Sequence, residues 1–274
     1  MGLLYAAVQL VGMSLYGIEQ WSRNADAFGV YFGLFSMLSP LHWRDRVLYL
    51  RPPLSGAPRL AAGAGSVAML CVMIGTVSFD GLSQGALWTG TDGIAPHLQQ
   101  RFINLGLSGE VALEITFTIG LLVMVGLVTG LYAVGVTGMR SLGGGHGATE
   151  LGRRFVHSLI PIALAYVVAH YFSLLIYQGQ ATAYLVSDPL GDGSDVFGTA
   201  SATIDYNLVG ANGVWYVQVF ALVLGHAAGL TLAHDRALIV YARARDATRS
   251  QYWMLAVMVG FTCLGLWLLS AAAQ

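Results

Sequence analysis

The chain has 274 residues, of which 56% are hydrophobic and only 10% are charged, and its formal net charge is −1. A typical soluble domain has about 25% charged residues, so this composition predicts an integral membrane protein whose partner is the lipid bilayer. The 13 basic residues, all arginine, are balanced by 14 acidic ones, and this charge does not indicate a nucleic-acid partner.

Six apolar segments are long enough to cross a bilayer core of ~30 Å at ~1.5 Å per helical residue. In chain order they lie at 3–21, 61–80, 109–138, 153–178, 208–234 and 251–271. The sequence therefore predicts an all-α fold, a polytopic membrane helix bundle of about six transmembrane helices. We expect residues 1–274 to form a single integral membrane domain.

Shorter elements are expected between these spans. The apolar run near 28–39 ends at Pro40 and is too short to span, which predicts a re-entrant or interfacial helix. Residues 46–50 are compatible with a short strand, and residues 95–107 with a short helix. Ser108 followed by Glu110 is typical of a helix N-terminus.

The arginines alternate between loops. The loops at 22–60, 139–154 and 235–250 contain five, three and four arginines, whereas those at 81–108 and 179–207 contain only Arg101. Loops on the cytoplasmic side of a membrane carry an excess of basic residues. The pattern therefore predicts six spans with both termini on the outer side.

The fourth span carries a polar stripe. Tyr166, His170, Ser173 and Tyr177 are spaced by 4, 3 and 4 residues, which brings them to one face of a helix. The topology assigns three carboxylates to the same outer half of the membrane: Asp80, Glu110 and Glu114. Polar residues at membrane depth usually face protein or a wet cavity, so an outward-facing polar pocket is expected.

Histidine with carboxylates is a ligand set suited to Zn, Fe or Mn, so the candidate metal ligands are His170, Glu114, Glu110 and Asp80. A bound metal would make a nucleophile of its water. His170 and Glu114 are the candidate catalytic residues, as metal ligands or as a base, and Tyr166 or Tyr177 would orient substrate or stabilise developing charge. The alternative is that these groups only satisfy one another inside the bundle or are simply solvated.

A haem is the alternative cofactor. The fourth and fifth spans each contain two histidines, as in membrane cytochromes, but the internal spacings of 13 and 8 residues do not match. One haem between His157 and His226 stays open, since histidine is a common axial ligand. His234, beside Asp235 and Arg236, is most simply an interfacial residue.

Two further patterns concern loops and helix contacts. The segment DPLGDGSD, residues 188–195, has the aspartate spacing of a calcium loop, but Thr199 stands where the closing glutamate is needed, which favours a solvated acidic turn. Small-xxx-small pairs predict close helix contacts. They occur at Gly29/Gly33, Gly126/Gly130 and Gly225/Gly229.

Four segments are specific enough to compare with a family: VHSLIPIALAYVVAHYFSLLIYQGQ, SDPLGDGSDVFGTA, MIGTVSFDGLSQG and RSQYWMLAVMVGFTCLGLWLLS. Together with the rest of the chain, they resemble bacterial polytopic membrane proteins commonly labelled fenitrothion hydrolase. The resemblance implies a bacterial inner-membrane protein that hydrolyses organophosphorus triesters, and it supplies no catalytic residues. Members usually carry further N-terminal membrane segments, which we expect to be missing before Met1.

Three functional hypotheses follow. The first is a metal-assisted phosphotriester hydrolase with an outward-facing site. The second is a transporter or channel-like subunit that uses the same polar cluster for a proton or a solute. The third is a haem-binding electron-transfer subunit. The small-molecule substrate and any other membrane subunits stay open in all three.

Overall fold

The computed structural model describes residues 2–63, 65–141 and 145–272, and helix predominates in it. The prediction of an all-α fold is confirmed. Five helical segments are long and apolar enough to cross a membrane: Ser66–Ser83, Gly109–Arg140, Ala148–Ser187, Ala211–Val240 and Ala244–Trp267. These correspond to the last five predicted spans, which supports a multi-pass membrane protein.

The helices, in chain order, are α1 (Gly2–Tyr16), α2 (Ile18–Asn24), α3 (Ala27–Ser36), α4 (Ser66–Ser83), α5 (Ala86–Thr89), α6 (Ile94–Asn104), α7 (Gly109–Arg140), α8 (Ala148–Phe155), α9 (Leu159–Tyr177), α10 (Thr182–Ser187), α11 (Ala211–Val240) and α12 (Ala244–Ala272). Short 3₁₀ turns lie at Ala57–Arg59, Val156–Ser158 and Gln178–Ala181. Strands β1 (Leu41–Arg44) and β2 (Val47–Leu50) form an antiparallel hairpin, so a strand does form near 46–50.

The first predicted span, 3–21, is not one continuous helix. It is divided at Gly17, whose φ of 85° is a conformation that glycine adopts readily and other residues rarely do. The 15 residues of α1 reach only about 22 Å, less than a bilayer core. The count of six spans therefore stays a prediction, whereas the short helix expected near 28–39 is present as α3.

The fourth span is longer than predicted and is built from several pieces. The predicted segment 153–178 lies inside a helical run from Ala148 to Ser187. The 3₁₀ turn at Val156–Ser158 joins α8 to α9, and Pro161 follows in the first turn of α9, where its missing N–H is tolerated. Most side chains in the first half of α9 are buried, so this helix forms the centre of the bundle.

Glycine permits several of the close contacts between helices. A Cβ atom on Gly225 of α11 would overlap the Cβ of Ala165 in α9, and one on Gly75 of α4 would lie 2.7 Å from Val125 Cα in α7. A Cβ on Gly138 of α7 would overlap the Trp253 side chain of α12. Close backbone approach is how membrane helices associate without a hydrophobic driving force.

The arginine-bearing segments meet at one end of the bundle, which we call the basic end. Arg236 Nη2 donates to the carbonyl oxygen of Pro58 at 2.9 Å, which joins the end of α11 to the segment before α4. The Tyr241 hydroxyl donates to Met139 O at 3.0 Å, which joins the residue directly after α11 to the end of α7. This grouping supports the alternation of loops, while the side of the membrane that each end faces stays a prediction.

Candidate functional site

His170 and Asp80 are close together at the opposite end of the bundle. His170 Nε2 lies 3.9 Å from Asp80 Oδ2, and the two side chains are 29% and 51% exposed. This distance allows electrostatic attraction, although it exceeds that of a hydrogen bond. The pair joins α4 to α9, so two of the four predicted metal ligands are neighbours.

Neighbouring groups restrain the imidazole. The His170 and Tyr171 rings meet edge to face, with centroids 4.7 Å apart. On the adjacent helix, Gln218 Nε2 donates to Ala169 O at 2.8 Å, which ties α11 to the turn that carries His170. The result is a partly exposed imidazole with a carboxylate beside it.

Glu110 and Glu114 do not join this pair. Both are exposed, on a face of α7 away from its buried positions Ala112, Thr116 and Gly120. Gly120 packs against Phe79, next to Asp80, so Glu114 is about 9 Å and Glu110 about 15 Å further along α7 from the level of Asp80. Because α7 runs antiparallel to α4, both glutamates lie beyond the last turn of α4.

The predicted four-ligand metal site is therefore not assembled. Within residues 2–63, 65–141 and 145–272, no group of three or more His, Cys, Asp or Glu side chains could hold a metal ion. All three carboxylates lie toward the same end of the bundle, and the side of the membrane that this end faces stays a prediction. Helix rotation and axial offset then separate Glu110 and Glu114 from His170.

The two tyrosines of the stripe donate to backbone carbonyls. The Tyr177 hydroxyl donates to Val209 O at 2.5 Å, which fastens the loop before α11 to the end of α9. Tyr166 is buried and its hydroxyl donates to Phe261 O in α12 at 3.4 Å. Tyr166 therefore faces the interior of the bundle, whereas Tyr177 lies at the end of α9, opposite the basic end.

His157 and His226 are both buried, and the Nε2 atom of each has no hydrogen-bond partner among the described residues. They do not fit a shared haem. The two positions differ by about 8 Å along the helix axes, judged from the contacts of Gly225 with Ala165 and of Gly229 with Ser158. Those contacts bring the two backbones together and leave no space for a macrocycle between the histidines.

The His226 ring makes contacts inside the bundle. Its Nδ1 lies 2.8 Å from Leu222 O, one turn back along α11, and its ring packs against that of Tyr166 with centroids 6.1 Å apart. This arrangement fills the space between α9, α11 and α12. A structural role in the core accounts for it.

The acidic loop, residues 188–195, is held by hydrogen bonds to its own aspartates. Asp188 accepts from the backbone amides of Asp192 and Gly193, and Asp195 accepts from Ser187 Oγ and from the Ala200 amide. The Ser187 hydroxyl, followed by the backbone amide of Ala200, holds the pKa of Asp195 below its ordinary value because both donate to the ionised carboxylate. The carboxylates hold the loop's own backbone instead of converging on a cation.

The sequence reasoning missed a cavity at the basic end. Arg153, Arg154, Arg236, His157 and Glu150 line it, together with residues of the segment before α4. Arg153 and His157 are four residues apart in one helical run, and this spacing was the available signal. The contribution of Arg236 could not be inferred because it comes from another helix.

Comparison with known proteins adds no identification. The chain matches no protein-family model, no curated protein and no solved structure. The class supported by the fold is a multi-pass helical membrane protein.

Proposed function

We propose that the protein is a bacterial inner-membrane hydrolase of neutral organophosphorus triesters, with both termini and the site on the outer side. The reaction class comes from the resemblance to the fenitrothion hydrolase family. Such triesters are uncharged and largely apolar, so they would partition into the bilayer, where the long helices lie. A site at membrane depth suits a substrate of this kind.

The observation that carries the proposal is the pair formed by His170 and Asp80, 3.9 Å apart toward the end of the bundle opposite the basic end. A carboxylate beside an imidazole can orient the ring for proton transfer, as a general base requires. Hydrogen bonds at catalytic sites are often long before substrate binds. In this proposal Asp80 takes the role that the sequence assigned to Glu114.

The reaction has one proton transfer and one displacement. His170 takes a proton from a water molecule, whose oxygen forms a bond to phosphorus. The bond from phosphorus to the aryl oxygen breaks, and nitrophenoxide leaves with the electron pair. The proton on His170 then passes to solvent. The new P–OH group gives its proton, through solvent, to the nitrophenoxide, so the products are a phosphodiester anion, a nitrophenol and one free proton.

Tyr177 has a positioning role in this proposal. Its hydroxyl holds the Val209 carbonyl, so the loop before α11 stays next to the end of α9. Tyr166 and Glu114 have no chemical role, because Tyr166 is buried against α12 and Glu114 is exposed further out along α7. No step is routed through a metal ion.

The test is release of nitrophenol from a nitrophenyl phosphotriester by the detergent-purified full chain. His170→Gln is expected to lower kcat by about 10²-fold or more, the usual contribution of a general base. The matched control is His97→Gln, because His97 is an exposed histidine of α6 outside the pair. Equal turnover by the His170→Gln variant and the wild-type protein would contradict the role of His170 as general base.

The same preparation separates the alternatives. Uptake of a solute into liposomes without any turnover of triester would favour a transporter or channel-like subunit. A haem would give a Soret band in protein purified with haem present, and the packing of α9 against α11 leads us to expect none.

A further inference from the structure

A cavity of about 570 Å³ opens at the basic end, away from His170. Its walls come from three separate parts of the chain: the segment before α4, the run from α8 to the 3₁₀ turn, and α11. Arg236 Nη2 donates to Pro58 O at 2.9 Å, so a hydrogen bond fixes one wall to another. The cavity is thus a feature of the folded bundle and not of one flexible loop.

The lining is positively charged. It contains Arg153, Arg154 and Arg236, against a single carboxylate, Glu150. Glu150 pairs with Arg154 at 2.7 Å. Across the part of the chain that the structure describes, Arg153 and Arg236 have no carboxylate within ion-pair distance. Two guanidinium groups are therefore left to bind an anion.

The neighbouring His157 is enclosed by protein. The residue is only 3% exposed, it lines the cavity, and its Nε2 has no hydrogen-bond partner among the described residues. A buried polar atom without a partner is costly, so native structures rarely leave one. Because that Nε2 atom is itself enclosed by protein, a ligand in the cavity does not reach it, and the two guanidinium groups carry the argument.

We propose that this cavity binds a phosphate group. Guanidinium groups form forked hydrogen bonds that match phosphate oxygens, and Arg153 and Arg236 would each supply such a fork. The basic end is the one that the arginine pattern assigns to the cytoplasmic leaflet, where anionic lipid headgroups collect. The phosphate belongs either to such a headgroup or to a free phosphate ion.

Two measurements on the full chain in uncharged detergent separate these sources. Calorimetric titration with inorganic phosphate tests the free ion. Native mass spectrometry with phosphatidylglycerol, against phosphatidylcholine at the same concentration, tests the headgroup. Binding of inorganic phosphate or of phosphatidylglycerol supports the proposal and identifies the source. Binding of both indicates that the phosphate group alone is recognised.

The variants test the named residues. Arg153→Gln with Arg236→Gln is expected to weaken binding of the retained probe by about tenfold or more, because each charged hydrogen bond is worth about 1.5–3 kcal/mol. The matched control is Arg243→Gln with Arg245→Gln, which removes the same charge from exposed positions that do not line the cavity. Arg153→Gln alone keeps the test decisive if the double variant does not fold, since Arg153 is exposed.

Two results would overturn the proposal. One is that wild-type protein binds neither probe at millimolar concentration. The other is that the control pair loses as much affinity as the cavity pair, since the effect would then be one of overall charge. Neither result bears on triester hydrolysis, because the His170 pair lies at the other end of the bundle.

Discussion

Single carboxylates in this protein have different tasks that follow from their nearest donors. Asp80 has an imidazole beside it and is half exposed, which leaves it able to act on a bound molecule through His170. Asp195 accepts from a hydroxyl and a backbone amide, so it holds the acidic loop together. The sequence alone presents both as polar residues near the same end of the bundle.

We predict that protonation of Asp195 loosens the acidic loop. Its pKa lies below the ordinary value of 3.8, so the stabilisation is complete above that value and is lost as pH falls through the lower pKa of the folded protein. Hydrogen exchange of the Ala200 amide, corrected for its intrinsic rate, should be constant from neutral pH to about 4 and faster below.

The variant Asp195→Ala should expose the same amide at every pH and remove the pH dependence. Asp92→Ala is the control, because Asp92 is an exposed aspartate in a turn of another loop. Equal protection of the Ala200 amide in Asp195→Ala and wild type would contradict this account of the loop.

Helices pack where glycine lets their backbones meet. The contact between α9 and α11 is the clearest case, since Gly225 faces Ala165 and the carbonyl of Pro161, and Gly229 faces the carbonyl of Ser158. These contacts also set the level of His157, His226 and Gln218 relative to α9. The geometry of both ends of the bundle thus depends on this one interface.

We predict that Gly225→Ala destabilises the protein by about 1–3 kcal/mol, the usual cost of overpacking a close contact. The matched variant is Gly126→Ala in α7, where an added Cβ meets nothing within 4 Å. Alanine favours helix over glycine by up to about 1 kcal/mol, so Gly126→Ala should be neutral or stabilising. Thermal unfolding in detergent measures both, and equal midpoints would contradict the assigned contact.

The glycine pattern was only partly predictable. Of the three small-xxx-small pairs, Gly225/Gly229 lies at a helix contact, but Gly126 and Gly130 face open space, and so does Gly33. The contacts at Gly75, Gly120 and Gly138 were not expected. Membrane helices are apolar all round, so the sequence does not indicate which face turns toward a neighbour.

At the scale of the whole molecule, the two ends of the bundle have different chemistry. The basic end contains the arginine-lined cavity and the hydrogen bonds from Arg236 and Tyr241. The other end contains the His170 pair and the acidic loop. A membrane protein with one end rich in arginine is expected to turn that end to the cytoplasm.

Cysteine labelling tests this orientation. In a Cys71→Ala, Cys263→Ala background, Ser201→Cys in the loop before α11 should react with an impermeant maleimide on intact spheroplasts. Ala242→Cys, between α11 and α12, should react only after permeabilisation, because it lies at the basic end. The reverse pattern would contradict the orientation, and labelling of both in intact spheroplasts would contradict the two-ended layout.

Sequence reasoning predicted the fold better than the site, and the reason is physical. Span length and loop charge are one-dimensional properties, so five long helices and the grouping of the arginines could be inferred. A site also needs the rotation of each helix and the offset between neighbours. That offset separates Glu114 from Asp80 by about 9 Å along α7, although both lie toward the same end of the bundle.

The central claim is that His170 and Asp80 act as one unit in triester hydrolysis, and a double-mutant cycle tests it most directly. The kcat values of His170→Gln, Asp80→Asn and the combined variant are compared with wild type, with His97→Gln and Asp92→Asn as controls. We expect Asp80→Asn to cost about tenfold and His170→Gln about 10²-fold or more. The combined variant should then be no slower than His170→Gln alone, because residues that act as a unit are not additive. Losses that multiply in the combined variant would contradict the claim.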